Sequence, residues 1–439
     1  MALERAQLML DWLVASGGYV HPSAELRDDA DAGLSLFATA PIPADERLVS
    51  CPFSVAITSS LASASVSAAT GVAESELVWP EGEKKGQKWN ERMLASAYIG
   101  LHWVWDEREK EGKTRPASLV HGPYVAALPT TEELTTPLYF NPTERAMLAG
   151  TNLAGAVADR EREWGAEADV VRAVLKEDGL TWDRYLAVAT YLSSRAFPSR
   201  LLRLPDEETD DDGVSPVLLP GVDMLNHARG QPILWLSSRV PSKDGDISAI
   251  SLRTAAAHEK DAELFNNYGA KPNEELLLGY GFVLPSNPDD TVVLRLGGAP
   301  PAAAARLQAK GLDATERFAV GRDGVLPQGL LQVMRTMSGE EEHECDDDED
   351  EHAHHEAEEK GLNLELDVLG MLGEMLEDKL ETLGREVETK GARPRVVAMV
   401  EEYRQGQADI LTSALDKLGE RIDRIESLMS EGLECPCGC

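Results

Sequence analysis

Cysteine is scarce in this chain: 439 residues hold five, Cys51, Cys345, Cys435, Cys437 and Cys439. They are too few and too poorly spread for a disulfide framework, which points to a reducing compartment. Positive charge is also short, with 42 Lys and Arg against 77 Asp and Glu and a net charge of −35. Such an excess repels a phosphate backbone, so no nucleic acid is expected as partner, and a neutral or basic protein surface is. No apolar run approaches the roughly 20 residues of a membrane span, and Glu4, Arg5 and Asp11 interrupt the apolar start where a signal-peptide core would lie. No Asn-x-Ser/Thr acceptor is present. The expectation is a cytoplasmic and/or nuclear protein with no membrane partner.

Familiar motifs are missing as well. There is no Gly-x-Gly-x-x-Gly after a strand, no phosphate-binding loop, no His-Glu-x-x-His and no Gly-x-Ser-x-Gly, which removes the usual signatures of dinucleotide, phosphoryl, zinc-peptidase and serine-hydrolase chemistry. The acid is concentrated: Glu340 to Glu359 carries 13 Asp and Glu with no Lys or Arg, and six of the seven residues Asp206 to Asp212 are acidic. Without these runs the net charge is −16. His343, His352, His354 and His355 sit inside the long run and read as part of a solvated low-complexity loop. Cys435-Pro-Cys437-Gly-Cys439 lacks a fourth ligand at zinc-site spacing, so no metal is expected.

What is present is a succession of short elements. Leu8 to Val14 give a helix stopped by Gly17-Gly18, and Leu34 to Phe37 and Leu48 to Ile57 read as strands around Pro41-Ile42-Pro43. Apolar positions recur at helical spacing from about 88 to 205. Strand-like runs return at Val217 to Leu219, Ile233 to Leu236, Ile247 to Leu252 and Glu263 to Phe265. From Leu364 two amphipathic stripes read as long antiparallel helices. The length suits two or three domains: a β-containing domain over 1–295 with a helical insertion at about 88–205, then a helical domain over 296–439 with an acidic disordered insertion at about 338–360. No solenoid repeat is present.

Three segments are read together: Asp31-Ala32-Gly33-Leu34-Ser35-Leu36-Phe37; Pro220-Gly221-Val222-Asp223-Met224-Leu225-Asn226-His227; and Phe265-Asn266-Asn267-Tyr268-Gly269 followed by Asn273-Glu274-Glu275-Leu276-Leu277-Leu278-Gly279-Tyr280-Gly281-Phe282. In this order they resemble a SET domain. The likeness is to the class with a helical insertion that includes the Rubisco large-subunit lysine methyltransferases, the fungal ribosomal-protein and elongation-factor lysine methyltransferases and the actin-histidine methyltransferase. Residues Tyr124 to Pro137 and Thr151-Asn152-Leu153 are similar to that insertion, and Tyr403-Arg404-Gln405-Gly406-Gln407 to its C-terminal helices. The lead-in Asp31-Ala32 and the Ala228-Arg229-Gly230 after His227 depart from the usual pattern.

The residue types suit the implied chemistry. Methyl transfer from S-adenosylmethionine moves positive charge from sulfur to nitrogen, so it needs alignment, desolvation and oxygens near the methyl group rather than a metal or an oxyanion hole. The resemblance implies an α+β fold: small sheets, a knotted-type C-terminal segment, a helical insertion and a C-terminal all-α domain. It makes Tyr268 the catalytic tyrosine and Tyr280 a wall of the lysine channel. It places Gly33, Leu34, Arg195, Asp223, Asn226, His227, Tyr280 and Phe282 at the cofactor, with Arg195 pairing the cofactor carboxylate through its forked donors. The implied activity is protein-lysine N-methyltransfer to a non-histone ribosomal protein or translation factor with a basic surface, by a monomer. Histidine methylation and a non-catalytic SET-fold scaffold are the alternatives.

Overall fold

The computed structural model describes residues 2–29, 33–207, 212–242, 245–339 and 351–432, without the side chains of 29, 351–358, 431 and 432. Asp31, Ala32, Cys345, His343, the three C-terminal cysteines and much of both acidic runs lie outside the described residues. The chain divides into two units, Met1–Tyr139 with Ala158–Ala270, and Phe140–Val157 with Lys271–Cys439. The position near 295 expected for a domain boundary thus falls within the second unit, as do residues 140–157 of the expected insertion.

The first unit opens with helix α1 (Ala2–Ala15), which buries Ala6, Met9, Leu10 and Leu13 at helical spacing and stops before Gly17, whose φ is +92°. Strand β1 (Tyr19–Val20) follows, then the hairpin of β2 (Ala24–Asp29) with β3 (Gly33–Ala38), then β4 (Arg47–Pro52). Helix α2 (Ser59–Thr70) begins where Thr58 Oγ1 accepts from the Leu61 amide, and α3 (Glu91–Lys110) where Asn90 Oδ1 accepts from Met93. Next in the chain come α4 (Gly122–Ala127), α5 (Pro142–Ala146), α6 (Asn152–Leu175) and α7 (Trp182–Arg195). The helical periodicity over 88–205 is thus realised, and α3 packs against α2 and α7.

After the short pair β5 (Phe197–Pro198) and β6 (Pro216–Val217), a hairpin of β7 (Ile233–Ser242) and β8 (Gly245–Thr254) completes an antiparallel sheet in the order β1-β4-β8-β7. Its central strands are the apolar ones: Leu48, Val49, Cys51, Ile250 and Leu252 are fully buried. The edge strand β7 alternates exposed Leu234 and Leu236 with half-buried Ile233 and Trp235. The strand expected at Glu263 to Phe265 forms only a single bridge, Phe37 to Glu263, extended by the Leu264 amide donating to Leu36 O at 2.8 Å. A one-sided pairing of this length is too short to count as a strand, yet it fixes the segment against β3.

In the second unit α8 (Asn273–Tyr280) ends at Gly281, φ +79°. Strand β9 (Thr291–Leu294) pairs with β10 (Phe318–Gly321) on either side of α9 (Pro301–Ala309), and α10 (Gln328–Ser338) follows. The two long stripes become α11 (Glu351–Gly384) and α12 (Pro394–Gly432), packed together through Val368, Leu372, Leu376, Ile410, Leu411 and Leu418. Residues 351–360, expected within a disordered stretch, open α11. Ala, Glu and His alternate there without a helix breaker, and helical propensity carries the backbone once packed residues downstream nucleate it. Arg393 clamps fully buried Glu144, with Nε and Nη2 both 2.9 Å from its carboxylate.

Gly221 is where packing leaves no room for a side chain. Its φ is +82°, and a Cβ there would overlap Leu13 Cδ2 of α1. Gly221→Ala is expected to destabilise the protein by about 3 kcal/mol, from backbone strain and overpacking together. Thermal melts check this, and an unchanged Tm would contradict it.

Candidate functional site

Two segments of the first unit cross to make the site. One is the chain after the short helical turn Val222–Met224, which packs on β3 and β4; the other follows the bridge to β3. They meet in parallel at His227 and Asn266, where the Asn266 amide donates to Asn226 O at 2.7 Å and the Ala228 amide to Asn266 O at 2.9 Å. The crossing thus brings together residues about 40 apart in sequence with the β7–β8 hairpin between them.

Tyr268 is held at three points. Its amide donates to His227 Nδ1 at 3.0 Å, its ring stacks on the imidazole with centroids 5.0 Å apart, and its hydroxyl donates to Leu225 O at 2.9 Å. Because Nδ1 accepts, the neutral His227 ring carries its proton on Nε2. The imidazole therefore fixes the tyrosine, a role beyond the place at the cofactor that the resemblance implies. Asn226 donates from Nδ2 to Glu263 at 2.9 Å, which ties the crossing to the segment paired with β3.

Arg195, the last residue of α7, donates from Nη1 to Asp223 O at 3.0 Å and lies 3.5 Å from Asp223 Oδ2. About a quarter of its side chain is exposed, against 1% for Asp223. Burial opposes the Arg195 charge, but Asp223 together with Tyr124, Tyr268 and Tyr191 outweighs it and the guanidinium sits above its ordinary value. Burial also raises the Asp223 carboxyl above its ordinary value, with Arg195 and a hydrogen bond from Tyr124 opposing. Asp223 Oδ1 and Asn266 Nδ2 are buried and have no hydrogen-bond partner among the described residues. Gly33, the first residue of β3, has φ +73° and open space where a Cβ would stand. Orphaned polar atoms, an arginine side chain about a quarter exposed and a bare backbone suit a ligand carrying carboxylate, ammonium and hydroxyl groups, as S-adenosylmethionine does.

Tyr280 and Phe282 belong to the second unit and are described within it. Their rings meet edge to face at 6.1 Å, and the Lys271 ammonium stands 5.6 Å from the Tyr280 centroid while paired with Glu275. Burial raises the Tyr280 hydroxyl against the pull of Lys271.

The sequence motifs therefore brought Arg195, Asp223, Asn226, His227 and Tyr268 into one place, with Gly33 and Leu34 on the strand that the third segment pairs with. Three contributors were missed. Asn266, inside the quoted motif, is fully buried and accepts from Trp235 Nε1 at 2.9 Å. Trp235 in turn meets Phe197 edge to face. Tyr124 donates to Asp223 Oδ2 at 2.8 Å across 99 residues of sequence. No local pattern marks Trp235 or Tyr124; a doubled Asn before the tyrosine was the available signal for Asn266.

No family model matches the chain. A ribosomal lysine N-methyltransferase of Schizosaccharomyces pombe (set10) is 35% identical over 295 residues, covering 66% of this chain and 47% of that protein. Ribosomal lysine N-methyltransferase 1 of Saccharomyces cerevisiae is 31% identical over 212 residues, 40% of this chain and 34% of its own. The chain spans about half the length of the first relative and a third of the second. Among solved structures, the SET domain of LSMT bound to lysine and AdoHcy superposes with a TM-score of 0.69 at 18% identity, covering 99% of this chain and 97% of that one. The chain has the SET-domain fold, α+β with small sheets and many helices.

A raised Asp223 pKa has a sign. Between the ordinary aspartate value and the raised one, the unfolded chain is ionised while the folded chain keeps its proton, so this group's stabilisation is full below that window and lost as pH rises through it. Asp223→Asn is expected to flatten the Tm profile from the ordinary aspartate pKa of about 4 upward relative to the parent. Parallel profiles for the two proteins would contradict the assignment.

Proposed function

We propose that the protein is an S-adenosylmethionine-dependent protein-lysine N-methyltransferase acting on a ribosomal protein or translation factor. The observation that carries the reading is Tyr268, anchored by His227 and Leu225 O beside the Arg195–Asp223 pair within one unit. Two relatives named as ribosomal lysine methyltransferases support the substrate class, and the net charge of −35 favours a target with a basic surface. The same proposal has it work in the cytoplasm and/or nucleus and as a monomer.

Bound S-adenosylmethionine supplies a methyl group on a sulfonium, to be taken by the lone pair of a neutral lysine amine. Arg195 pairs with the carboxylate, its fork aimed by the Asp223 carbonyl. Asp223 Oδ1 and Asn266 Nδ2 are the acceptor and donor left for polar groups. Gly33 and Leu34 offer backbone rather than side chain. Tyr268 directs its hydroxyl hydrogen at Leu225 O, which leaves the oxygen's lone pairs as acceptors that would serve a methyl group carrying partial positive charge through C–H···O contacts.

Incubation with methyl-labelled cofactor and cell lysate, followed by mass spectrometry of labelled peptides, is expected to show methyl groups on lysine of a translation-machinery protein. Label on histidine, or no labelled protein despite cofactor binding, would contradict it. Tyr268→Phe is expected to keep cofactor binding and lower kcat by about 100-fold; unchanged turnover would remove Tyr268 from the chemistry.

A further inference from the structure

Asp223 is divided between two environments. Its Oδ2 is occupied by the Tyr124 hydroxyl at 2.8 Å and faces Arg195 at 3.5 Å, while its buried Oδ1 meets no partner among the described residues. Tyr124 is 2% exposed and comes from α4, in the helical insertion, far in sequence from every motif of the site. Its hydroxyl is pushed well above the ordinary phenol range by burial and by Asp223, so it remains a donor at any working pH.

We infer that Tyr124 is a positioning residue for ligand binding: its hydroxyl holds the Asp223 carboxylate in place, and through Asp223 it aims the Arg195 guanidinium at the ligand carboxylate. The inference rests on the reading of this site as a cofactor site. Three elements meet there. α4 supplies Tyr124, α7 supplies Arg195 and Tyr191, and β4 supplies Cys51, a fully buried free thiol raised by burial and by the nearby Asp223 charge. Tyr268 also faces Arg195. Among these groups only Arg195 is a cation, and Tyr124 alone donates a hydroxyl to the carboxylate.

The consequence is a pH dependence of binding. Anionic Asp223 holds Arg195 and attracts the positive charges of the cofactor, so affinity falls when Asp223 takes up a proton. Removing the Tyr124 hydroxyl removes an interaction that favours the anion, and Asp223 then protonates at higher pH. A residue that served only to fill space would change stability without moving this titration.

Calorimetric titration of the full chain with S-adenosylhomocysteine across about pH 5 to 8.5 tests it. For Tyr124→Phe the expected result is about tenfold weaker binding near neutrality and an acid limb about one pH unit higher. In the Asp223→Asn background the same change is expected to have little further effect on affinity, because the two residues act in series. Equal affinity and an unmoved acid limb in a folded Tyr124→Phe protein would overturn the inference while leaving the cofactor reading intact. The same Tyr124→Phe effect with and without Asp223 would also overturn it. If the parent protein does not bind S-adenosylhomocysteine, the cofactor reading fails and the inference goes with it.

Discussion

The site depends on one crossing, the parallel contact of Asn226–Ala228 with Asn266 through two backbone hydrogen bonds of 2.7 and 2.9 Å. Parallel pairing needs a long connection between its partners, and here the connection is the β7–β8 hairpin, whose β8 is a central strand of the main sheet. Misplacing that hairpin would separate Tyr268 from His227, Leu225 and Asn226 at once. The geometry of the candidate site is therefore set by sheet register and not by the loops alone. Full burial of Leu36, Leu225, Ile250, Leu252 and Leu264 holds this register in place.

Around the crossing the structure gathers polar groups that a core would normally exclude. A buried carboxylate with one orphaned oxygen and a buried amide with an orphaned nitrogen each cost stability when nothing is bound. The cost is tolerated where a ligand completes the bonding. Tyr124 and Trp235 reduce it from outside, each satisfying one atom of a residue whose other atom stays available. This division, one atom fixed by the scaffold and one kept for the ligand, recurs at Asp223 and at Asn266.

Much of this was legible in the sequence, for specific reasons. Helices α1, α3, α11 and α12 carry apolar stripes, and β3, β4 and β8 are short runs bounded by Gly, Pro or charge, so their existence follows from periodicity. The site residues Asp223, Asn226, His227 and Tyr268 lay in motifs read in order. The helical start of α11 inside an acidic run was not legible, because charge there masks propensity. Nor was the assignment of 140–157 to the second unit, where Glu144 meets Arg393 across 249 residues. The contact of Tyr124 with Asp223 was invisible for the same reason: a hydroxyl that finds its acceptor across 99 residues leaves no periodic trace.

The central claim is that the first unit aligns a methyl donor against Tyr268. A crystal structure of the protein with S-adenosylhomocysteine and lysine tests it most directly. The account predicts the ligand's sulfur beside the Tyr268 hydroxyl and its carboxylate on Arg195, with Asp223 Oδ1 or Asn266 Nδ2 gaining a partner. A ligand bound away from the 226–228 and 266–268 crossing, or Tyr268 turned from Leu225 O with its hydroxyl in solvent, would contradict it.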